Sequence, residues 1–483
     1  MSAPRDAVNP LLEMFAPFIP VTRMAGKLLH EPLNEIAWHS TPPALREQYL
    51  ELHEEHFFPT SAAVDIAVRI HSAILGSLQR RNPMSRVEQR RINQLALLQP
   101  DDSSALPSLA NPANAGIIAA TTGMGKTSIL ERTLHLLAPD QVVVHSRSEA
   151  CGWSKMTQIA YLKFDFPSNG SRGGLIDHGL GAIDSLIGTD YVRRVHRRNL
   201  EAGFIELIKQ LSNHRVGLLV LDEVQPGTFA DSPWYLEFVM FMLCLMNVGI
   251  PILLSGQPGA FKNLIQERQT KRRFSRIGLF ELHRAASDSD AWWTQEFVPG
   301  MLRFNLCENT ERQDEILARS RSMSAGIPGY FSQLWIEAQR LALRAAGEGE
   351  AATVTPAHLE LATESQAIRK LMMDAKELEL QALHDATDEA GAQKVEINRC
   401  TGNGKGARAF RTADNSPDAV AQAVHAARTE ERRRNARAKK DAARTAGHLK
   451  ELAGEDLRVG NHAMELLSRM DELQVELSAE ERP

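Results

Sequence analysis

The run Gly123-Met124-Gly125-Lys126-Thr127 holds the residue types that grip a polyphosphate. Glycines let backbone N–H groups turn inward around anionic oxygens, a lysine reaches the outer phosphates, and the hydroxyl residue beside it ligates Mg2+. Thr122 and Ser128 flank the run, so Thr122, Gly123, Met124, Gly125, Lys126, Thr127 and Ser128 form the candidate phosphate-binding set. The full pattern asks for Gly at position 120, where this chain has Ala120, which keeps the same amide and carbonyl. Ninety-five positions after Thr127, the apolar run Val216–Leu221 ends in Asp222-Glu223. An aspartate there would share the metal with Thr127, and the glutamate would orient an attacking water. Each feature alone has an ordinary explanation, a chance turn or a solvated strand end. Together they imply binding and hydrolysis of a nucleoside triphosphate with Mg2+.

Such residues must be held by a strand, a turn and a helix in sequence. Gly116–Ala120 is short and apolar, as a buried strand is, and Lys126–Leu137 follows with helical spacing. Strand and helix signals then alternate through Val142–Val144, Ile159–Phe164, a helix at Leu200–Leu211, Val216–Leu221, a helix at Trp234–Met246, and Ile252–Leu254. Alternation of this kind predicts an α/β fold with a parallel sheet covered by helices, and open sheets of that type place ligands at the carboxyl ends of strands. The order, phosphate loop first and acidic strand two crossovers later, suits the ASCE branch of P-loop ATPases. Before the sheet, Ile66, Val68, Ile70, Ile74, Leu75 and Leu78 fall at helical spacing and lead into Arg80, Arg81, Arg86, Arg90 and Arg91. Beyond Trp292 the pattern is helical over Ile316–Met323, Phe331–Ala345 and Pro356–Met373, with a helix start at Thr355. A helical lid on the nucleotide domain is the expectation.

The chain has 483 residues, too many for one core, so two to four modules are expected. A net charge of −5 gives no global nucleic-acid signature, leaving that role to local patches. Cys151, Cys244, Cys307 and Cys400 lie far apart, which argues against disulfides and structural zinc and fits a reducing cytoplasm. Met1–Pro10 has no basic-then-apolar pattern, so no signal peptide is expected. The apolar stretch Trp234–Leu254 is broken by Glu237, Asn247, Gly249 and Pro251, and is expected to be a core helix and strand rather than a membrane span. Between Arg428 and Lys450, nine Lys/Arg stand against three acids, after which Glu451–Pro483 turns acidic. That tail is either solvated or a segment that docks on a partner or DNA.

Several segments together resemble a known family. The loop Ala120–Thr127, Leu219-Val220-Leu221-Asp222-Glu223-Val224-Gln225, Ile250–Pro258 with its Ser255-Gly256-Gln257-Pro258 ending, and Lys271-Arg272-Arg273-Phe274-Ser275-Arg276 are similar to the TnsC family of AAA+ transposition regulators, kin to TniB. Arg81-Asn82-Pro83 and Tyr161–Asp165 followed by Ser168-Asn169-Gly170-Ser171 support the likeness, which spans roughly 65–375. The resemblance implies a P-loop AAA+ ATPase with ATP between subunits, assembling as a homo-oligomeric ring or filament on double-stranded DNA without sequence preference. A target-selector protein and the transposase and endonuclease subunits would be its partners, in the bacterial cytoplasm and at the nucleoid when DNA-bound, with no membrane role. The implied division is an N-terminal extension (1–65), an AAA+ domain (66–300), a helical lid (301–375) and a mainly helical, charged tail (376–483). Glu223 would activate water, Gln257 or Ser255 would be the sensor, and Arg273 or Arg276 would reach a neighbour's γ-phosphate. The lid turn Gly326–Tyr330 lacks the usual sensor arginine, a duty that could fall to Arg321. DNA phosphates would be met by Arg172 and by Arg193, Arg194, Arg197 and Arg198.

Two other functions share these motifs: a stand-alone P-loop enzyme acting on a small molecule, and a scaffold ATPase in signalling or defence. No substrate domain separates the loop from the acidic strand, which weighs against the first. The scaffold differs only in its tails.

Overall fold

The computed structural model describes residues 9–98, 106–194, 199–347, 350–374 and 377. The tail 376–483 lies outside the described residues apart from Glu377, as do Arg197 and Arg198.

Six consecutive buried residues make β1 (Ala115–Ala120), a strand with no polar face. Such a strand needs neighbours on both edges and helices on both faces. After it come an antiparallel pair, β2 (Val142–His145) and β3 (Met156–Ile159), and then β4 (Tyr161–Asp165), β5 (Leu218–Val224), β6 (Ile252–Gly256) and β7 (Gly278–Leu282). The main sheet is parallel and five-stranded, in the order β4-β5-β6-β1-β7. One strand, β6, therefore stands between the phosphate-loop strand and the acidic strand. Their carboxyl ends open on the same edge, where parallel sheets hold ligands.

Among the described residues, four α-helices precede the sheet: α1 (Val21–Leu28), the single turn α2 (Pro43–Arg46), α3 (Ser61–Arg80) and α4 (Arg86–Leu97). Within it run α5 (Lys126–Leu137), α6 (Arg172–Ile187), α7 (Tyr191–Arg194), α8 (Leu200–Asn213) and α9 (Tyr235–Asn247), and α10 (Lys262–Gln266) and α11 (Arg268–Phe274) lead into β7. Side-chain alternation along the strands sorts the core into two layers. Leu162, Phe164, Leu219 and Leu221 meet α6, α8 and α9, whereas Ile118, Val220 and Leu253 meet Ile70 and Ile74 of α3 and Leu130 and Leu134 of α5. Among the described residues, α3 is the one helix long and apolar enough to cross a membrane, and 56% of its apolar window is buried inside the protein.

Beyond the sheet, α12 (Val298–Leu302), α13 (Gln313–Ser324), α14 (Pro328–Ala345) and α15 (Pro356–Glu364) build a helical layer with the short strands β8 (Asn309–Thr310) and β9 (Thr353–Val354). Its core takes in Leu33, Trp38 and Leu50 from the N-terminal extension beside Trp293, Phe304 and Trp335. Arg46, also from the extension, is buried there and donates to the carbonyls of Thr41 at 2.6 Å and Leu306 at 3.1 Å.

The chain departs from the sequence expectations at named places. Ile159–Phe164 is two strands, because β3 peels away to pair with β2 before β4 joins β5. The helix expected over Pro356–Met373 is broken after Glu364, where Ser365 leaves the helical conformation, and helix resumes only at Arg369. Helix α6 has no strong apolar period because Gly173, Gly174, Gly179 and Gly181 dilute it, yet Ser171 caps it by accepting from the amide of Gly174 at 3.0 Å. The basic cluster at 80–91 is partly internal: Arg91 and Arg215 both bond buried Glu88, at 2.7 and 2.8 Å, and Arg81 donates to the carbonyl of Val216 at 2.8 Å.

Candidate nucleotide site

The chain leaves β1 at Ala120 and enters α5 at Lys126, so the loop between them hangs over a helix N-terminus. Gly123 and Gly125 have φ of +83° and +80°, the left-handed region in which only glycine is unstrained. These two positions let the loop amides turn toward an anion and the helix's positive end. Lys126 is buried, and its ammonium donates to the carbonyls of Ala120 at 2.8 Å and Thr121 at 3.1 Å. Burial pushes its pKa below the ordinary lysine value, and the carboxylates of Glu223 and Asp222 pull it back toward the charged form. The loop's lysine is thus matched to the acidic strand.

At the end of β5 the pairing with β6 shifts register between Leu221 and Val224. Glu223 sits in that irregularity with φ of +53°, a strained conformation for a side chain of its kind. Bulges re-aim side chains, and this one turns Glu223 into the cleft while Asp222 stays 2% exposed behind it. The amide of Glu223 donates to Oδ1 of Asp222 at 3.0 Å.

The cleft encloses about 830 Å3. Thr122–Ile129 and Glu223 line one end; His56, Phe58, Ser61, Trp292, Glu296 and Phe297 are among the residues lining the other. Sequence reading missed that second wall. Its signals were the His53–Phe58 run, dense in histidine and phenylalanine, and the N-cap Thr60 that follows it. Ser61 binds Glu296 through its amide at 2.7 Å and its hydroxyl at 2.6 Å, which fastens α3 to a π-helical turn at Trp292–Phe297. Burial holds His56 below the usual histidine pKa, and its Nε2 lies 3.0 Å from the carbonyl of Gly300. The lid closes the third side: the amide of Gly329 donates to the carbonyl of Gly123 at 2.8 Å, and Ile327 packs with Met124 and Ala120.

The donors present fit a hard divalent cation. Thr127 and Asp222 offer a hydroxyl and a carboxylate, and among the described residues no group of three or more His, Cys, Asp and Glu could hold a metal on its own. Mg2+ is usually held this way, by one or two protein oxygens with phosphate and water completing its shell.

Other expected site residues lie apart from the cleft. Gln257 is exposed just after β6, its amide donating to the carbonyl of Val224 at 2.9 Å, whereas Ser255 is buried with a hydroxyl that has no hydrogen-bond partner among the described residues. Neither lines the cleft. Arg273 and Arg276 are exposed, on and just after α11. Arg321 donates to the carbonyl of Ala285 at 3.3 Å and does not line the cleft either. Arg172, at the first turn of α6, stacks on Trp234 at 4.1 Å with its Nε buried and without a hydrogen-bond partner among the described residues. Arg193 is 85% exposed and pairs with Asp190 at 3.5 Å, and Arg194 lies over the Tyr191 ring.

Residues 110–264 match the family model described as an AAA domain. None of the curated proteins compared matches the chain. Similar solved structures include the Aeropyrum pernix Orc1 protein in complex with DNA (14% identity, 59% of this chain and 68% of that one, TM-score 0.36) and Cdc6p from Pyrobaculum aerophilum (13% identity, 59% and 70%, TM-score 0.36). A third is the Walker-type ATPase PABY2304 of Pyrococcus abyssi (15% identity, 62% and 76%, TM-score 0.33). The matched family, the strand order and the loop at Gly123–Thr127 agree: this chain carries an AAA+ P-loop domain.

Proposed function

We propose that the protein is an ATP-dependent, DNA-binding regulator of transposition, which oligomerises on target DNA and links a target-selector protein to the transposase subunits. One observation carries the ATPase half: Lys126 and Glu223 face a common cleft, with Thr127 beside the lysine and Asp222 behind the glutamate. That arrangement supports phosphate binding by Lys126, Mg2+ binding by Thr127 and Asp222, and orientation of water by Glu223. Bound Mg2+ would neutralise charge on the β- and γ-phosphates. The lid contact at Gly123–Gly329 and the buried walls would exclude bulk water around them.

The transposition half rests on the TnsC-like motifs and on where their basic residues lie. Arg273 and Arg276 are exposed and do not line their own cleft, as residues acting on a neighbour's nucleotide must be. Either would place positive charge at a γ-phosphate across a subunit boundary. Gln257, exposed immediately after β6, is preferred for the sensor role over buried Ser255. Arg172, Arg193 and Arg194 suit phosphate-backbone contacts, which add affinity without reading sequence. The divisions at 65, 300 and 375 follow the same proposal.

Sedimentation or negative-stain imaging with and without duplex DNA, and with ATP or a non-hydrolysable analogue, tests this function. Assembly that needs both nucleotide and DNA is expected; a monomer in every condition overturns the regulator reading. Replacing Arg193 and Arg194 with alanine lowers affinity for unrelated DNA sequences alike and flattens the salt slope by about one unit per lost contact.

A further inference from the structure

Asp222 is buried at the end of β5, and a carboxylate so placed is costly to keep charged without partners. Both of its oxygens have one. Oδ1 accepts the amide of Glu223 at 3.0 Å, and Oδ2 lies 3.5 Å from Nζ of Lys163. Lys163 projects from the neighbouring strand β4 on the same sheet face, the one covered by α5. Its ammonium also donates to Oε1 of Glu131 at 2.9 Å. Glu131 stands four residues after Thr127 in α5, one turn along the same helical stripe. A single lysine thus joins the helix bearing one candidate metal ligand to the strand bearing the other.

We propose that Lys163 is the resident counter-cation of Asp222, a positioning residue that Glu131 draws aside when Mg2+ arrives, so that the Glu131–Lys163 pair sets the Mg2+ affinity of the nucleotide site. The proposal rests on the reading of the cleft as a Mg-nucleotide site. The charges dictate its logic. With Lys163 close, Asp222 is compensated and a second cation is repelled; with Lys163 held by Glu131, Asp222 is released to the metal. Lys163 touches neither phosphate nor water in this scheme, so its effect appears in metal dependence.

The test is a Mg2+ titration of the full-length protein with a fluorescent non-hydrolysable ATP analogue, reading analogue binding and Tm in the same samples. Lys163→Met keeps the stem and removes the charge, so half-saturation falls to about one-tenth of the wild-type Mg2+ concentration, and Tm in EDTA drops and is recovered by Mg2+. Glu131→Gln, at a largely exposed position, leaves Lys163 to Asp222 alone and raises half-saturation roughly threefold. Lys163→Arg restores the wild-type response. A purely structural brace would move both variants in the same direction. Shifts of one sign, or no shift, overturn the role of Lys163 while leaving the nucleotide site intact; absence of analogue binding by the wild type at every Mg2+ concentration overturns both.

Discussion

Two side chains at the cleft are held in states they would not choose alone, and each gives a measurable consequence. Lys126 is a buried ammonium bonded, among the described residues, to the carbonyls of Ala120 and Thr121, with burial lowering its pKa. An incoming triphosphate offers it far stronger, charge-assisted partners. Lys126→Ala therefore loses nucleotide affinity by at least tenfold, about 1.4 kcal/mol, in a direct binding titration; unchanged binding would remove the phosphate-loop assignment. Glu223 stores strain of a different kind, a left-handed backbone at φ +53°. Glu223→Gln and Glu223→Asn should both abolish hydrolysis while sparing ATP binding, because either amide is a poor base. Asn tolerates the left-handed region better than Gln, so the Asn variant should melt higher, by roughly 0.5–1 kcal/mol of stability. Equal melting of the two would mean that the bulge at 221–224 carries no strain.

The loop and the lid meet through backbone, and this contact decides how the elements cooperate. Gly329 bonds Gly123, and a Cβ added at Gly123 would lie 2.9 Å from Cγ2 of Ile327. Gly123→Ala thus adds a clash with the lid to the cost of its positive φ. Gly188→Ala makes the natural control, since φ there is +70° with nothing within 4 Å of the added carbon. Both lose roughly 1 kcal/mol to backbone conformation, and only Gly123→Ala should lose further stability and weaken nucleotide binding. Matched losses in a thermal melt would show that the lid yields freely. Much of this architecture was legible in the chain: Lys126–Leu137 is helical to the residue, and Asp222-Glu223 lies at the end of a buried strand that closes one residue later at Val224. Those segments carry strong periods and distinctive ends. What stayed hidden is what no local pattern encodes: the wall formed by His56, Phe58 and Phe297 joins residues more than two hundred positions apart, and the bulge that aims Glu223 arises from pairing with β6. Helix α6 was masked by its glycines, and β7 by being only partly buried, so that it lacks the continuous apolar run of its neighbours.

At the scale of the molecule, four histidines among the described residues set the response to mild acid. His56, His71, His214 and His358 all have pKa values below the ordinary 6.5, with burial the leading cause at each. His71 illustrates why: fully buried, it places Nε2 3.0 Å from the carbonyl of Ala16 while the amide of Ile19 donates to Nδ1 at 3.4 Å. That pair of contacts requires the neutral ring, since a proton on Nδ1 would face another N–H. The sign of the effect follows. The unfolded chain takes up protons near pH 6.5 and the folded chain does so only lower, so the histidine contribution to stability is complete above about 6.5 and is lost as pH falls toward the folded values. Carboxylates act in a separate window. Glu47 and Glu308, held low by hydrogen bonds from Arg344 and Arg46, give up their contribution only as pH falls below about 4.5. Between pH 7.5 and 5.5 the histidines therefore dominate, and Tm should fall by roughly 2–5 °C. His71→Gln, which can still donate to Ala16, should melt lower at pH 7.5 yet lose less on acidification. A Tm that holds steady or rises down to pH 5.5, or a His71→Gln profile parallel to the wild type, would show that the buried rings are not what acid attacks first.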